Sequence, residues 1–126
     1  MAFQSFFDFR MPTHVVHGAG SIARLANVLN ADARPLIVAD AGLVEAGIVS
    51  QVTAVLDDAD MKWTLFTDVV GNPVARNVSA GARTYAKGSC SAIVGLGGGS
   101  PMDVAKMIGV VATGGGRIDQ YLGAGK

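Results

Sequence analysis

Short apolar runs alternate with stretches whose apolar residues recur at the three-and-four spacing of a helix, and the alternation repeats four times. The first run is His14-Val15-Val16-His17, followed by Gly18-Ala19-Gly20. After it, Ile22, Leu25, Ala26 and Leu29 mark one face of an amphipathic helix. The second run, Pro35 to Ala39, closes on Asp40, and Ile48, Val49, Val52, Val55 and Leu56 line one face of the helix predicted beyond it. The third run, Lys62 to Phe66, contains β-branched and aromatic members that favour a strand. Asn72-Pro73 then offers a cap residue with proline at the first helical position. Val74, Val78, Ala82 and Tyr85 line the helix that follows, and Gly88 marks its exit. The fourth run, Ser91 to Leu96, enters Gly97-Gly98-Gly99-Ser100-Pro101. A long helix is predicted from Ser100, with Val104, Ile108 and Val111 on its apolar face and Gly114-Gly115-Gly116 at its end. A short helical stretch, Arg117 to Leu122, comes last.

Strand runs alternating with helices of this length predict βαβ units and a parallel sheet. Right-handed crossovers would place helices on both of its faces, which is a doubly wound, Rossmann-like α/β fold. The 126 residues suit one domain spanning 1–126. Half of them are hydrophobic and 16% are charged, a balance that fits a buried parallel sheet.

Lysine plus arginine equals aspartate plus glutamate, ten against ten. A balanced chain has no basic footprint for nucleic acid or an anionic membrane, so neither is expected as a partner. No apolar run approaches the ~20 residues of a membrane span. The opening MAFQSFFDFR lacks a basic n-region and does not read as a signal peptide. Cys90 is the single cysteine, which excludes an internal disulfide and points to a reducing cytoplasm.

Two glycine loops compete for a phosphate-binding role. Gly18-Ala19-Gly20-Ser21-Ile22-Ala23 fits G-x-G-x-x-[GA], with Asp40 about twenty residues on, where a ribose-binding acid is expected. It fits a tight strand-to-helix turn equally well. The second loop, Gly95 to Asp103, is denser. Three consecutive glycines cost backbone entropy that a turn alone does not require, and they let the main chain approach a ligand closely. The helix behind them adds its positive end, which makes an anion site. The structural alternative is a capping pair, Ser100 with Asp103, around Pro101; it accounts for those residues and leaves the triple glycine without a reason. Lys106, on the same helix, could reach a ribose or phosphate or could simply face solvent.

The run Gly97-Gly98-Gly99-Ser100-Pro101-Met102-Asp103-Val104-Ala105-Lys106 closely resembles the G-G-G-S-x-x-D-x-A-K signature of iron-containing (group III) alcohol dehydrogenases. Pro12 to Ser21 is similar to that family's first strand and glycine turn, Pro35 to Asp40 to its second strand ending in an acid, and Gly71-Asn72-Pro73 to its x-N-P turn. The resemblance implies that the second loop, with Gly97, Gly98, Gly99 and Ser100, cradles the pyrophosphate of NAD, and that the first loop is structural. It places Asp103 near the nicotinamide and Asn72 near the dinucleotide's ribose. Asp40 is expected to accept hydrogen bonds from the adenosine ribose and to repel the extra phosphate of NADP, with a turn or cap role as the alternative.

Family enzymes hold a divalent metal, iron or zinc, with one aspartate and three histidines in a helical second domain, where it stabilises an alkoxide. The only histidines here, His14 and His17, would point to opposite faces of a strand and are not expected to share an ion. The resemblance therefore implies the NAD-binding half of a metal-dependent alcohol dehydrogenase. Such an enzyme transfers hydride between a small alcohol or aldehyde and NAD(H); this half carries no catalytic or metal residue and is inactive by itself. Glycerol or polyol dehydrogenases, dehydroquinate-synthase-like lyases and maleylacetate-reductase-like enzymes share the half-fold, though serine after the three glycines favours the alcohol dehydrogenase branch. A non-catalytic, stand-alone nucleotide-binding module is the alternative of another class. Cys90 reads as a small packed side chain, and Asp57, Asp58 and Asp60 as a solvated turn. Phe3, Phe6, Phe7 and Phe9 form a segment expected to dock on the domain or on a neighbouring subunit of a homo-oligomer.

Overall fold

The computed structural model describes Asp8, residues 10–71 and residues 75–116. Three parallel strands form the sheet in the order β2-β1-β3. β1 (Pro35–Ala39) is central and buried at all five positions, as its unbroken apolar run requires. β2 (Thr64–Phe66) and β3 (Ala92–Leu96) flank it, with Ile37 opposite both Leu65 and Val94. The helices are α1 (Leu25–Val28), entered through a 3-10 turn at Ser21–Arg24, then α2 (Ala41–Glu45), α3 (Ile48–Asp58), α4 (Ala75–Lys87) and α5 (Gly99–Gly114).

The two-residue period of β1 sorts the core into two layers. Leu36 and Val38 turn to one face, where they meet Phe66, Val78 of α4, and Val104, Ala105, Ile108 and Val111 of α5. Ile37 turns to the other, against Val52 and Leu56 of α3 and Met61, with Leu25, Ala26 and Leu29 packed beside them. Helices thus cover both faces, as the doubly wound expectation requires. At Gly81, α4 and α5 come so close that an added Cβ would collide with Ile108.

The structure departs from the sequence reading at several element ends. His14 to His17 forms no strand: the run is exposed apart from half-buried Val16, and no neighbouring strand bonds to it. A strand exists only with a partner, which an apolar run cannot specify locally. His14 and His17 are therefore not held on opposite faces of a strand. The helix predicted after Asp40 is two helices, divided at Ala46-Gly47, with Val49, Val52 and Leu56 buried on the second. Strand pairing begins at Thr64 and Ala92 rather than Lys62 and Ser91. The Asn72-Pro73 helix start, Val74, the phenylalanine-rich opening and Arg117 to Leu122 lie outside the described residues. Among the described residues, no helix is long and apolar enough to cross a membrane.

Candidate functional site

Ala39 pairs with Leu96, so Asp40 and Gly97 leave the sheet side by side at its carboxyl end. From there the two connections part. β1 continues through α2 into α3 on one face, while β3 continues into α5 on the other. Adjacent strands whose connections leave to opposite faces open a crevice between them, the topological switch point at which ligands bind in open α/β sheets. Phe66 stands in register with Val38, so the segment after β2 starts at the same end of the sheet. Asn72, in that segment, is outside the described residues.

The sixteen residues of α5 begin at Gly99, behind an extended Gly98 (φ −84°, ψ −150°) that can supply no side-chain cap. The first helical hydrogen bond is Met102 N–H to the Gly98 carbonyl, 3.4 Å. The amides of Gly99 and Ser100 therefore have no acceptor within the helix. Ser100 lies inside the first turn and makes no cap hydrogen bond, so the Ser100–Asp103 capping pair is not formed. The uncapped amides, which carry the positive end of a four-turn helix, remain as the reason for an anion site.

The three glycines are not equivalent. Gly97 has φ +125°, and a Cβ on it would lie 2.8 Å from Leu43 Cδ1 and 2.8 Å from Pro101 Cγ. Both backbone and packing demand glycine there. At Gly98 and Gly99 an added Cβ would meet nothing within 4 Å. The protein's own packing gives no reason for glycine at these two positions. Both face open space at the start of α5.

Asp40 caps α2, its Oδ1 accepting from the Leu43 amide at 3.0 Å. The cap alternative is thus realised at a position that also borders the crevice, and it engages one carboxylate oxygen. Gly99, Asp103 and Lys106 follow at four and three residues along α5, all exposed, and so share one solvent-facing stripe. Lys106 also borders a shallow apolar hollow with Ile93, Gly95, Met102 and Gly109. Leu43 escaped the sequence reading. The cap was legible as an acid before a helix, but the contact with Gly97 joins two segments that no periodicity relates.

The Gly18 loop lacks the setting its pattern needs. Among the described residues no strand precedes it, and the Gly18 and Gly20 carbonyls accept from Ser21 and Ala23 at 3.2 and 3.1 Å, which makes it a turn into the 3-10 segment. His14 and His17 are exposed, and among the described residues no group of three His, Cys, Asp or Glu could hold a metal ion. These residues do not fit a metal. Cys90 is half-buried against the core. Asp57 accepts from Trp63 Nε1 at 2.8 Å at the end of α3, and Asp58 and Asp60 are exposed there.

A sequence profile of iron-containing alcohol dehydrogenases matches residues 12–126. Choline dehydrogenase of Bacillus subtilis is 38% identical over 120 residues, covering 94% of this chain and 30% of that protein. Alcohol dehydrogenase 4 of Schizosaccharomyces pombe is 34% identical over 120 residues, 94% of this chain and 28% of its own. The crystal structure of sulfoacetaldehyde reductase from Bifidobacterium kashiwanohense, in complex with NAD+, superposes with a TM-score of 0.84 at 28% identity, over 98% of this chain and 33% of that one. The chain spans about a third of the length of these relatives.

Proposed function

This chain belongs to the iron-containing alcohol dehydrogenase family, and from that premise we propose that residues 1–126 are a dinucleotide-binding domain that holds NAD at the carboxyl end of its sheet. One observation carries the reading. Gly98 and Gly99 stand free of the protein's own atoms at the uncapped start of α5, beside Asp40 at the switch point.

In this reading the amides of Gly98, Gly99 and Ser100 and the Ser100 hydroxyl hold the pyrophosphate, with the α5 dipole supporting its charge. Gly97 shapes the turn that presents them. Asp40 accepts from the adenosine ribose hydroxyls, and its charge disfavours the additional phosphate of NADP. Asn72 lies on the ribose side, Asp103 toward the nicotinamide, and Lys106 offers its cation to ribose or phosphate from the same stripe of α5. NAD supplies a hydride acceptor on the alcohol side of the reaction and a hydride donor on the aldehyde side. This domain's part is to bind and orient it, with no catalytic residue of its own.

The activity we propose for the whole enzyme is hydride transfer between a small alcohol or aldehyde and NAD(H). Its metal, iron or zinc, would be held by residues of a second domain, outside those described here. Names of relatives support this: choline, alcohol and sulfoacetaldehyde enzymes, one of them bound to NAD+. A reducing cytoplasm suits the single thiol, Cys90.

Calorimetric titration of the full chain with NADH and then NADPH tests the proposal. Saturable NADH binding with weaker NADPH binding is expected. Preference for NADPH would remove Asp40 from the account, and no binding of either would overturn the dinucleotide site.

A further inference from the structure

We propose that Leu43 is a positioning residue for the phosphate loop, held through Asp40, so that the ribose acid and the pyrophosphate cradle act as one unit. The inference deepens the NAD reading and rests on it.

α2 is a five-residue helix, too short to hold its shape by its own hydrogen bonds. Its start is fixed at Asp40: the Leu43 amide donates to Asp40 Oδ1 at 3.0 Å and also lies 3.2 Å from the Asp40 carbonyl. Both bonds are donated by the amide of Leu43, the residue whose side chain meets Gly97. Leu43 is half-buried and belongs to neither of the two core clusters, so its apolar surface is spent outside the sheet layers. It is spent on the loop.

Gly97, at φ +125°, has two side chains packed where its own would be. Leu43 Cδ1 approaches from α2 and Pro101 Cγ from α5, each 2.8 Å from where a Cβ would be. Pro101 is among the fully buried residues, so that neighbour is rigid. A lone glycine could take many conformations; one with these two neighbours against it takes fewer. The amides of Gly98 and Gly99 follow directly and are aimed by that choice. Asp40 has a second oxygen, Oδ2, for the ribose hydroxyls, so one carboxylate anchors both the ribose and the residue that sets the loop.

The test is a fluorescence titration of the full chain with NADH and NADPH for wild type, Leu43→Val, Leu43→Met and Asp40→Asn, with thermal unfolding of each. Leu43→Val removes the δ carbons that reach Gly97. It should weaken NADH and NADPH alike, by about tenfold, because a misaimed cradle acts on the phosphates common to both. The ratio of the two affinities should not change. Leu43→Met, which keeps the reach, should bind within about twofold of wild type. Asp40→Asn retains a cap acceptor and should alter the ratio instead.

A general structural role would lower the melting temperature without this division between ratio and common affinity. Wild-type affinity in Leu43→Val overturns the proposal and leaves the NAD reading standing. Absence of dinucleotide binding in the wild type overturns both. If Leu43→Val fails to fold, Pro101→Ala removes the Cγ of the other neighbour and must show the same uniform loss; unchanged affinity there overturns the proposal as well.

Discussion

At Asp40 two demands on one side chain can be separated by substitution, because asparagine keeps an acceptor oxygen and alanine keeps none. Asp40→Ala should lose the α2 cap and cost about 1 kcal/mol in denaturant unfolding, while Asp40→Asn should cost a few tenths. Both should raise NADPH binding relative to NADH, since both remove the charge that repels the 2′-phosphate; an unchanged ratio would show that Asp40 only caps. The glycines separate in the same manner. Gly97→Ala forces a left-handed conformation on an L residue and drives a Cβ into Leu43 and Pro101, for a loss of about 1–3 kcal/mol. Gly98→Ala has open space and an ordinary φ, so its stability should stay within about 0.5 kcal/mol of wild type. Its NADH affinity should nevertheless fall by roughly tenfold or more, the loss of a close phosphate contact of about 1.4 kcal/mol. The run of three glycines was visible in the sequence. Which of them the protein's own packing requires was not, because that depends on what stands across from each.

At the scale of elements, helical faces were legible because their period is local. Val104, Ile108 and Val111 on α5, and Val49, Val52 and Leu56 on α3, are all buried where their spacing put them. Strands were less so: β2 and β3 end where register with β1 ends, and the first apolar run pairs with no strand among the described residues. The approach of α4 to α5 at Gly81 had no signal in the pattern. Gly81→Ala would gain about 1 kcal/mol of helix propensity, yet the collision with Ile108 should make it a net loss of about 1–3 kcal/mol. Ile108→Val removes Cδ1, the nearer of the two Ile108 atoms that the new methyl would strike, and leaves Cγ1. The double variant should accordingly be less destabilised than the sum of the singles, a coupling that a double-mutant cycle in urea measures. Strict additivity would mean that the helices simply move apart.

For the molecule as a whole, a ligand that binds only the folded chain stabilises it by mass action, by about 2.7 kcal/mol at a hundred times its dissociation constant. NADH should therefore raise the unfolding temperature of the full chain, and should raise that of Gly98→Ala about half as much at the same concentration, since a tenfold weaker site keeps about 1.4 kcal/mol. An equal rise in both would place the dinucleotide away from the α5 start.

From residue spacing and composition alone came the βα alternation, the two-sided parallel sheet, the buried helix faces, the dense glycine run and the acid at a strand end. These are local properties, set by periods of two and 3.6 and by what glycine and capping residues do to the backbone next to them. Two glycine loops fitted a phosphate role at that level, and the denser run with its G-G-G-S signature favoured the second. Only the tertiary structure decided strand order, which sets Asp40 and Gly97 side by side where the connections of β1 and β3 leave to opposite faces. It also decided the packing of Leu43 and Pro101 beside Gly97. Both depend on contacts between residues far apart in the chain, which no short window of sequence contains.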